Sequence, residues 1–446
     1  MSERFDAIVV GAGPAGEVAA SRLPKLGLRT ALVERELVGG ECAYWACIPS
    51  KTLLRPPEVR FEAQRTAGTA APQQSWRDVA AYRDYMVRHL DDRNQVDGYE
   101  RDGVSVYKSE ARFTGPGCVE VDGARLESER IIVATGSDPG VPDIPGLREA
   151  GYWTNREATN LHEIPDSVVI LGGGPVGIEL AQFLRRFGAA VTIVQRPARL
   201  LPREDPAVGE LIGERLREDG IEVRLGARAV AVERRAARRV VRLADGGAVA
   251  GDELLVATGR RPRVDGLDAL GVQVSARGVA IDERCRAADG VWATGDVTGV
   301  MPFTHVGMYQ ARVVVDDIAD KPRAADYGAI PRVVFSDPEI AAVGLTERHA
   351  REQGIRVATA RVNLPEAIAR PWTYEKDPRG ELGLVADTRR GTLVGAWAVA
   401  PLAGEWIHYA ALAIKTGTPL GVLRDTVAQF PTFSEAFLKG LEAIDA

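Results

Sequence analysis

The chain has 446 residues, 45% of them hydrophobic and 26% charged, with a formal net charge of −6. At roughly 150 residues per domain this length predicts about three domains, and the composition excludes a disordered or collagen-like chain. The mild acidity gives no reason to expect nucleic acid or an anionic membrane surface as partner. Seven lysines stand against 49 arginines, which reads as base bias, because the two cations share a sign. Four cysteines are too few for a secreted disulfide scaffold.

The N-terminal residues run straight into an apolar strand, Ala7–Val10, without the basic start, long apolar stretch and small-residue cleavage site of a signal peptide. A run of about 18 apolar residues is absent, and the stretch near 391–414 is broken by Glu405 and His408. A soluble, cytoplasmic protein without a membrane span is expected.

The first 35 residues read as strand (Ala7–Val10), Gly-rich turn (Gly11, Gly13, Gly16), helix (Ala15–Leu26) and strand (Thr30–Glu34). Between Trp76 and Tyr99 the spacing is helical, and Val104–Ile132 reads as short strands. The opening grammar then returns at Val168–Leu171, with glycines Gly172, Gly174 and Gly177, a helix Ile178–Phe187 and a strand Ala190–Gln195. Alternating strands follow over Ile221–Val256, with turns at Ala236 and at Asp245 to Gly247. The last segment mixes strands (Arg332–Phe335, Gly383–Ala386, Leu393–Val399) with a helix Glu405–Lys415. Boundaries are expected near 150, 262 and 330, giving segments 1–150, 151–262, 263–330 and 331–446.

A dinucleotide turn needs glycine where the chain turns sharply, where backbone approaches a pyrophosphate, and where helix packs on strand. The helix N-terminus then offers N–H groups and a positive dipole end to the phosphates. One such turn is weak evidence; two with strand before and helix after point to two nucleotide-binding domains. About 18 residues past the third glycine sits the group that meets the ribose. From Gly16 this is Glu34, a carboxylate suited to a ribose diol. From Gly177 it is Gln195, followed by Arg196 and Arg199. A neutral amide with two guanidiniums nearby predicts NADPH in preference to NADH. The competing reading is that both arginines are merely solvated, in a chain rich in them.

Cys42 and Cys47 lie five apart in the stretch from Gly39 and Gly40 to Lys51. In an ideal helix their Cα atoms would be roughly 8–9 Å apart, whereas a disulfide needs about 4.4–6.8 Å. Bonding therefore requires an irregular turn, and a thiolate near a helix N-terminus is favoured by the dipole.

This stretch resembles the redox motif of the flavin-dependent pyridine nucleotide–disulfide oxidoreductases, which include dihydrolipoamide dehydrogenase, glutathione reductase and mercuric reductase. The resemblance covers essentially the whole chain. It includes Ala134-Thr135-Gly136, Ala257-Thr258-Gly259, Ala293 to Asp296, Pro338-Glu339-Ile340 and Val343-Gly344-Leu345. It implies an α/β fold with two Rossmann-like nucleotide-binding domains and an α+β C-terminal dimerisation domain, hence a homodimer. It further implies FAD held by the first turn, Glu34, Gly40, Thr135, Gly136 and Asp296, with NAD(P)H on the second turn and Gly259. Cys42 would be the interchange thiol, Cys47 the thiol beside the flavin, and Lys51 with Glu179 the charged pair near the flavin's reactive nitrogen. No resident metal is expected. Cys118 and Cys285 are isolated and expected to be structural.

Two departures stand out. Most disulfide reductases of this family have a histidine immediately before the Pro-Thr of the C-terminal motif, acting as acid–base. Here Phe430 precedes Pro431 and Thr432, while Glu435, which would orient that histidine, is present. A phenyl ring can neither give nor take the proton. Tyr44 and Trp45 also replace the slender residues usual between the cysteines. Either they wall a substrate site by stacking, or they pack with Phe430 and its neighbours. Tyr44 is a weak alternative proton source, since a free phenol titrates near 10. His408 could replace the lost base, although a lone helix histidine is more often surface. The Arg234, Arg235, Arg238 and Arg239 cluster reads as a solvated hairpin. Mercuric reductase is similar in having an aromatic residue before this proline, but its C-terminal cysteine pair is absent here.

The expected activity is NAD(P)H-dependent reduction, of the disulfide oxidoreductase type, of a small disulfide through flavin and the Cys42–Cys47 pair. Alternatives are a quinone, other acceptor or metal-ion reductase that does not need the missing histidine, or the flavoprotein subunit of a 2-oxo acid dehydrogenase-like complex.

Overall fold

The computed structural model describes residues 2–444. The chain divides into two compact units. The first comprises the chain up to Ser50, Ala81–Val141 and Gly259–Asp326; the second comprises Lys51–Ala80, Pro142–Thr258 and the chain from Tyr327 onward.

In the first unit a six-stranded sheet runs Arg286–Ala288, Val291–Ala293, Ile131–Val133, Ala7–Val10, Thr30–Val33, Val104–Tyr107. All pairings are parallel except that of the outermost strand, Arg286–Ala288. Parallel strands covered on both faces read as continuous apolar runs. Accordingly all four residues of Ala7–Val10 are buried. Ala7 and Val9 pack with Ala19 and Val314 on one face, while Ile8 and Val10 pack with Val119 and Leu126 on the other. A four-stranded sheet of Ser2–Arg4, Ala124–Glu127, Cys118–Val121 and Ala111–Gly115 lies in the same unit.

In the second unit a parallel sheet is ordered Glu222–Leu225, Ala190–Gln195, Ser167–Leu171, Glu253–Val256. A five-stranded antiparallel sheet follows, ordered Pro331–Val334, Glu339–Gly344, Thr392–Ala400, Glu381–Asp387, Val357–Asn363. Its core gathers Leu384, Ala398, Ala410, Phe433 and Phe437.

Three sequence-based elements need correction. The first helix spans Pro14–Arg22, and Pro24–Leu26 forms a separate 3₁₀ turn, because Pro24 has no N–H to continue the ladder. The helical stretch after Trp76 is two helices, Trp76–Met86 and Arg93–Arg101. Arg88, His89 and Leu90 lie between them at φ of 54°, 51° and 58°, a left-handed run that costs roughly 1–2 kcal/mol per residue. The break carries Asp92 to the Val38 N–H at 2.7 Å and Arg88 to the Tyr44 ring at 5.8 Å. The C-terminal helix is likewise two, Ala403–Trp406 and His408–Thr416.

Candidate active site

At the first turn Gly11 sits at φ +101°, and a Cβ there would lie 2.2 Å from the Ala134 carbonyl oxygen. A Cβ on Gly16 would come within 1.8 Å of the Gly11 oxygen, whereas one on Gly13 would meet nothing within 4 Å. The turn is closed by the first and third glycines and open at the second. No side chain caps the helix Pro14–Arg22 at Gly13, so its first N–H groups face that opening. Glu34 is 8% exposed; its carboxylate accepts the Ala12 and Glu36 N–H groups, each at 2.7 Å. Gly40 has no room for a side chain, since its Cβ would lie 2.6 Å from the Gly13 Cα. Asp296 accepts from the Ser137 hydroxyl at 2.5 Å and lies 3.6 Å from Arg260. Thr135 donates to the Arg263 carbonyl at 2.8 Å, and the Gly136 carbonyl accepts the Arg263 N–H at 3.0 Å. An open glycine, an uncapped helix end and a buried carboxylate fit a dinucleotide.

The second turn repeats this construction. A Cβ on Gly172 would lie 2.3 Å from the Ala257 oxygen, one on Gly177 2.0 Å from the Gly172 oxygen, and one on Gly174 would meet nothing within 4 Å. Gln195 accepts the Gly173 N–H at 2.8 Å and donates to the Arg199 carbonyl at 3.1 Å. Arg199 donates to the Pro202 carbonyl at 3.0 Å. Arg196 is exposed at the end of the strand. Gly259 belongs to the first unit, at φ +124°, with its carbonyl accepting the Gly140 N–H at 2.8 Å.

The cysteine stretch is irregular in the way a close thiol pair requires. One short helix, Gly40–Tyr44, ends at Trp45 (φ −135°, ψ −2°), and a second begins at Cys47. Thr304, the first residue of the helix Thr304–Ile318, brings its hydroxyl to both thiols, 3.3 Å from Cys42 Sγ and 3.5 Å from Cys47 Sγ. Nothing in the local pattern singled out Thr304; its only signal is its place at the start of the helix after Asp296. A cavity of about 390 Å³ within the first unit opens on Cys42. Glu17, Val18, Ile48, Tyr99 and Met308 are among its walls.

Tyr44 is no part of that wall. It is 2% exposed, donates to the Val38 carbonyl at 3.1 Å, and burial pushes its phenol above the ordinary value. The aromatic-wall reading and the Tyr44 proton source therefore fail for this residue, whose ring is packed inside the first unit. Trp45 stays beside the Tyr44 ring, with centroids 5.8 Å apart.

In the second unit Lys51 Nζ lies 2.7 Å from Glu179 and 4.6 Å from the Phe335 ring centre. The other Glu179 oxygen accepts the Phe335 N–H at 3.0 Å. Glu435 opens the helix Glu435–Ala443, and its Oε2 is buried with no hydrogen-bond partner among the described residues. His408 is exposed at the first position of its helix. Cys118 and Cys285 are buried. Arg234, Arg235 and Arg238 are exposed on the hairpin, while Arg239 pairs with Glu253 at 3.0 Å. Among the described residues no three His, Cys, Asp or Glu side chains are placed to hold a metal, and no helix is long and apolar enough to cross a membrane.

Residues 5–311 match the family model described as pyridine nucleotide-disulphide oxidoreductase, and residues 330–440 match its dimerisation domain. The chain is 33% identical over 443 residues to mercuric reductase of Bacillus cereus, covering 97% of this chain and 70% of that one. It is 34% identical to dihydrolipoyl dehydrogenase of Thermus scotoductus, covering 99% and 97%. The solved Cu(II) complex of the HOCl-induced flavoprotein disulfide reductase RclA from Escherichia coli superposes with a TM-score of 0.87 at 29% identity, covering 98% of this chain and 100% of that one. The chain belongs to the pyridine nucleotide-disulfide oxidoreductases, FAD-binding enzymes that use NAD(P)H, and it carries their dimerisation domain.

Proposed function

We propose that this homodimeric flavoenzyme uses NADPH to reduce a small organic disulfide through Cys42 and Cys47. The observation that carries this reading is the cavity of about 390 Å³ opening on Cys42. A bare metal ion needs no such volume, whereas a disulfide with organic arms fills it. In this reading residues 1–150 and 263–330 serve FAD, 151–262 serve the nicotinamide nucleotide, and 331–446 form the subunit interface. Its setting is the reducing cytoplasm.

FAD, when bound, supplies two-electron chemistry between the nicotinamide and the cysteine pair. The chain's own groups do the rest. Gly13 and Gly174 leave backbone open to a pyrophosphate, and each following helix directs its N–H groups there. Glu34 supplies a carboxylate for a ribose diol; Gln195, Arg196 and Arg199 leave room and positive charge for a 2′-phosphate. Lys51, fixed by Glu179, holds a positive charge that steadies negative charge near it. Thr304 donates to the Cys42 sulfur, and Cys42 in its thiolate form attacks the substrate.

A second reading, soft-metal reduction, is favoured by the lack of a base at Phe430, because a metal thiolate needs no leaving-group proton. The names of two relatives, a mercuric reductase and a Cu(II) complex, agree with it. An anaerobic NADPH titration and Cys42→Ser test both readings. A long-wavelength thiolate–flavin band after one equivalent, with turnover of 2-hydroxyethyl disulfide lost in Cys42→Ser, supports the first. Turnover of Cu(II) but of no disulfide replaces it with the second.

A further inference from the structure

The cavity that opens on Cys42 has one carboxyl in its wall. Glu17 stands on the helix Pro14–Arg22, immediately after the third glycine of the first turn, and lines the same space as Cys42 and Tyr99. Among the described residues no histidine lines it. Phe430 stands where the family resemblance implies an acid–base imidazole, and the Glu435 Oε2 nearby in sequence is buried and unpartnered among the described residues.

We propose that Glu17 is the acid–base residue for thiol–disulfide exchange at Cys42, supplied by the same chain as the thiol. The proposal rests on the disulfide reading above. The Cys42 thiolate attacks one sulfur of a disulfide R–S–S–R, the S–S bond breaks, and a Cys42–S–S–R mixed disulfide forms. The departing R–S⁻ takes the proton of the Glu17 carboxyl and leaves as R–SH. The Cys47 thiolate then attacks the Cys42 sulfur, re-forming the Cys42–Cys47 disulfide and expelling a second R–S⁻, which is protonated from solvent. The dithiol is oxidised by two electrons and the substrate is reduced to two thiols.

The surroundings suit the role. Burial pushes the Glu17 carboxyl above its ordinary value, and Glu34 at the end of the neighbouring strand adds to this. Arg88, from the turn before the helix Arg93–Arg101, and the Tyr99 hydroxyl on that helix act the other way. Tyr99 also donates to the Glu17 carbonyl at 3.4 Å, tying the two elements together. From the helix Thr304–Ile318 the cavity receives only uncharged groups, Thr304 and Met308. A carboxyl raised by burial gives up its proton less readily than an exposed one, which suits a proton donor.

The test uses full-length, FAD-loaded enzyme and two disulfides that differ in their need for a proton. With 2-hydroxyethyl disulfide the leaving thiolate is basic; with 5,5′-dithiobis(2-nitrobenzoate) it is stable unprotonated. Glu17→Gln is expected to lower kcat on the first by roughly 100-fold, and on the second by less than about threefold, with Glu17→Asp recovering part of the loss. Wild-type kcat/KM on the first substrate falls at alkaline pH, and Glu17→Gln removes that limb. Independently of turnover, iodoacetamide alkylation of Cys42 in the NADPH-reduced protein is expected to titrate at lower pH in Glu17→Gln, by about half a unit or more. Equal losses on both disulfides, or an unmoved alkylation profile, overturn the proposal while leaving the disulfide reading intact. A wild-type enzyme that reduces neither disulfide overturns that reading first, and the proposal with it.

Discussion

The two glycine turns are built alike and differ in one atom's charge. In each, a side chain at the end of the second strand accepts the N–H of the residue between the first two glycines: Glu34 from Ala12 at 2.7 Å, Gln195 from Gly173 at 2.8 Å. The second polar atom of each is spent differently. Glu34 takes another backbone N–H, from Glu36, whereas Gln195 gives a proton to the Arg199 carbonyl. The fold asks this position for one acceptor oxygen and leaves the other atom to decide the electrostatics. Nucleotide choice can therefore change without disturbing the turn, and the second turn has exchanged a carboxylate for a neutral amide.

The equivalence is broken most severely at the first glycines. Gly11→Ala would drive a methyl to 2.2 Å of the Ala134 oxygen, and Gly172→Ala to 2.3 Å of the Ala257 oxygen, both from positive φ. Gly11→Ala is expected to yield protein without flavin absorbance. Gly172→Ala should stay yellow yet lose at least about 100-fold in kcat/KM for NADPH, since a buried overlap costs several kcal/mol. A colourless Gly172→Ala would show that the two turns are not separable.

The difference itself is tested at Gln195. Gln195→Glu keeps the acceptor for Gly173 and restores a charge, so the ratio of kcat/KM for NADPH over NADH should fall about tenfold or more. Arg196→Ala and Arg199→Ala are expected to raise KM for NADPH about three- to tenfold each, with NADH unaffected. Arg199→Ala is the harder of the two to read, because Arg199 also holds the Pro202 carbonyl. Equal effects on both nucleotides would assign the two arginines to ordinary solvated surface.

What was legible in the chain follows the same division between local and long-range causes. The glycine turns could be read because each glycine answers a constraint within its own strand–turn–helix unit. The broken helix between Cys42 and Cys47 could be read because two thiols five apart cannot approach on a regular helix. Thr304 and Glu17 could not. Thr304 meets the Cys42 sulfur and Glu17 lines the cavity that opens on it, each from another part of the first unit, and neither is unusual among its sequence neighbours. The fate of Tyr44 was equally hidden. Its burial depends on Val38 and on Arg88, and Arg88 is delivered by three consecutive left-handed residues in a stretch whose apolar spacing reads as unbroken helix.

Glu339 is the counter-case to Glu34, and it carries the smallest expected effect. Glu34 is buried with two backbone N–H groups on its carboxylate. Glu339 receives one, from Gly404 at 2.9 Å, and faces Glu58, Glu405 and Asp337. Burial first, then those acids, push its carboxyl up to about 7. A carboxyl whose folded value lies above its unfolded one favours the folded state while it is protonated. That contribution is complete below about pH 4.5 and is lost as pH rises through 7. After solvent screening the loss should be on the order of 1 kcal/mol, or about a degree or two in Tm for a protein of this size. Glu339→Gln should therefore melt with wild type at pH 5 and above it at pH 8. Scans of both proteins at the two pH values check this, with Glu34→Gln as the contrast, which should lose stability at pH 8 because the amide oxygen can accept only one of the two N–H groups and its NH2 would face the other. A Glu339→Gln protein that melts below wild type at pH 8 would mean that the charged carboxylate, through Gly404, is the stabilising form after all.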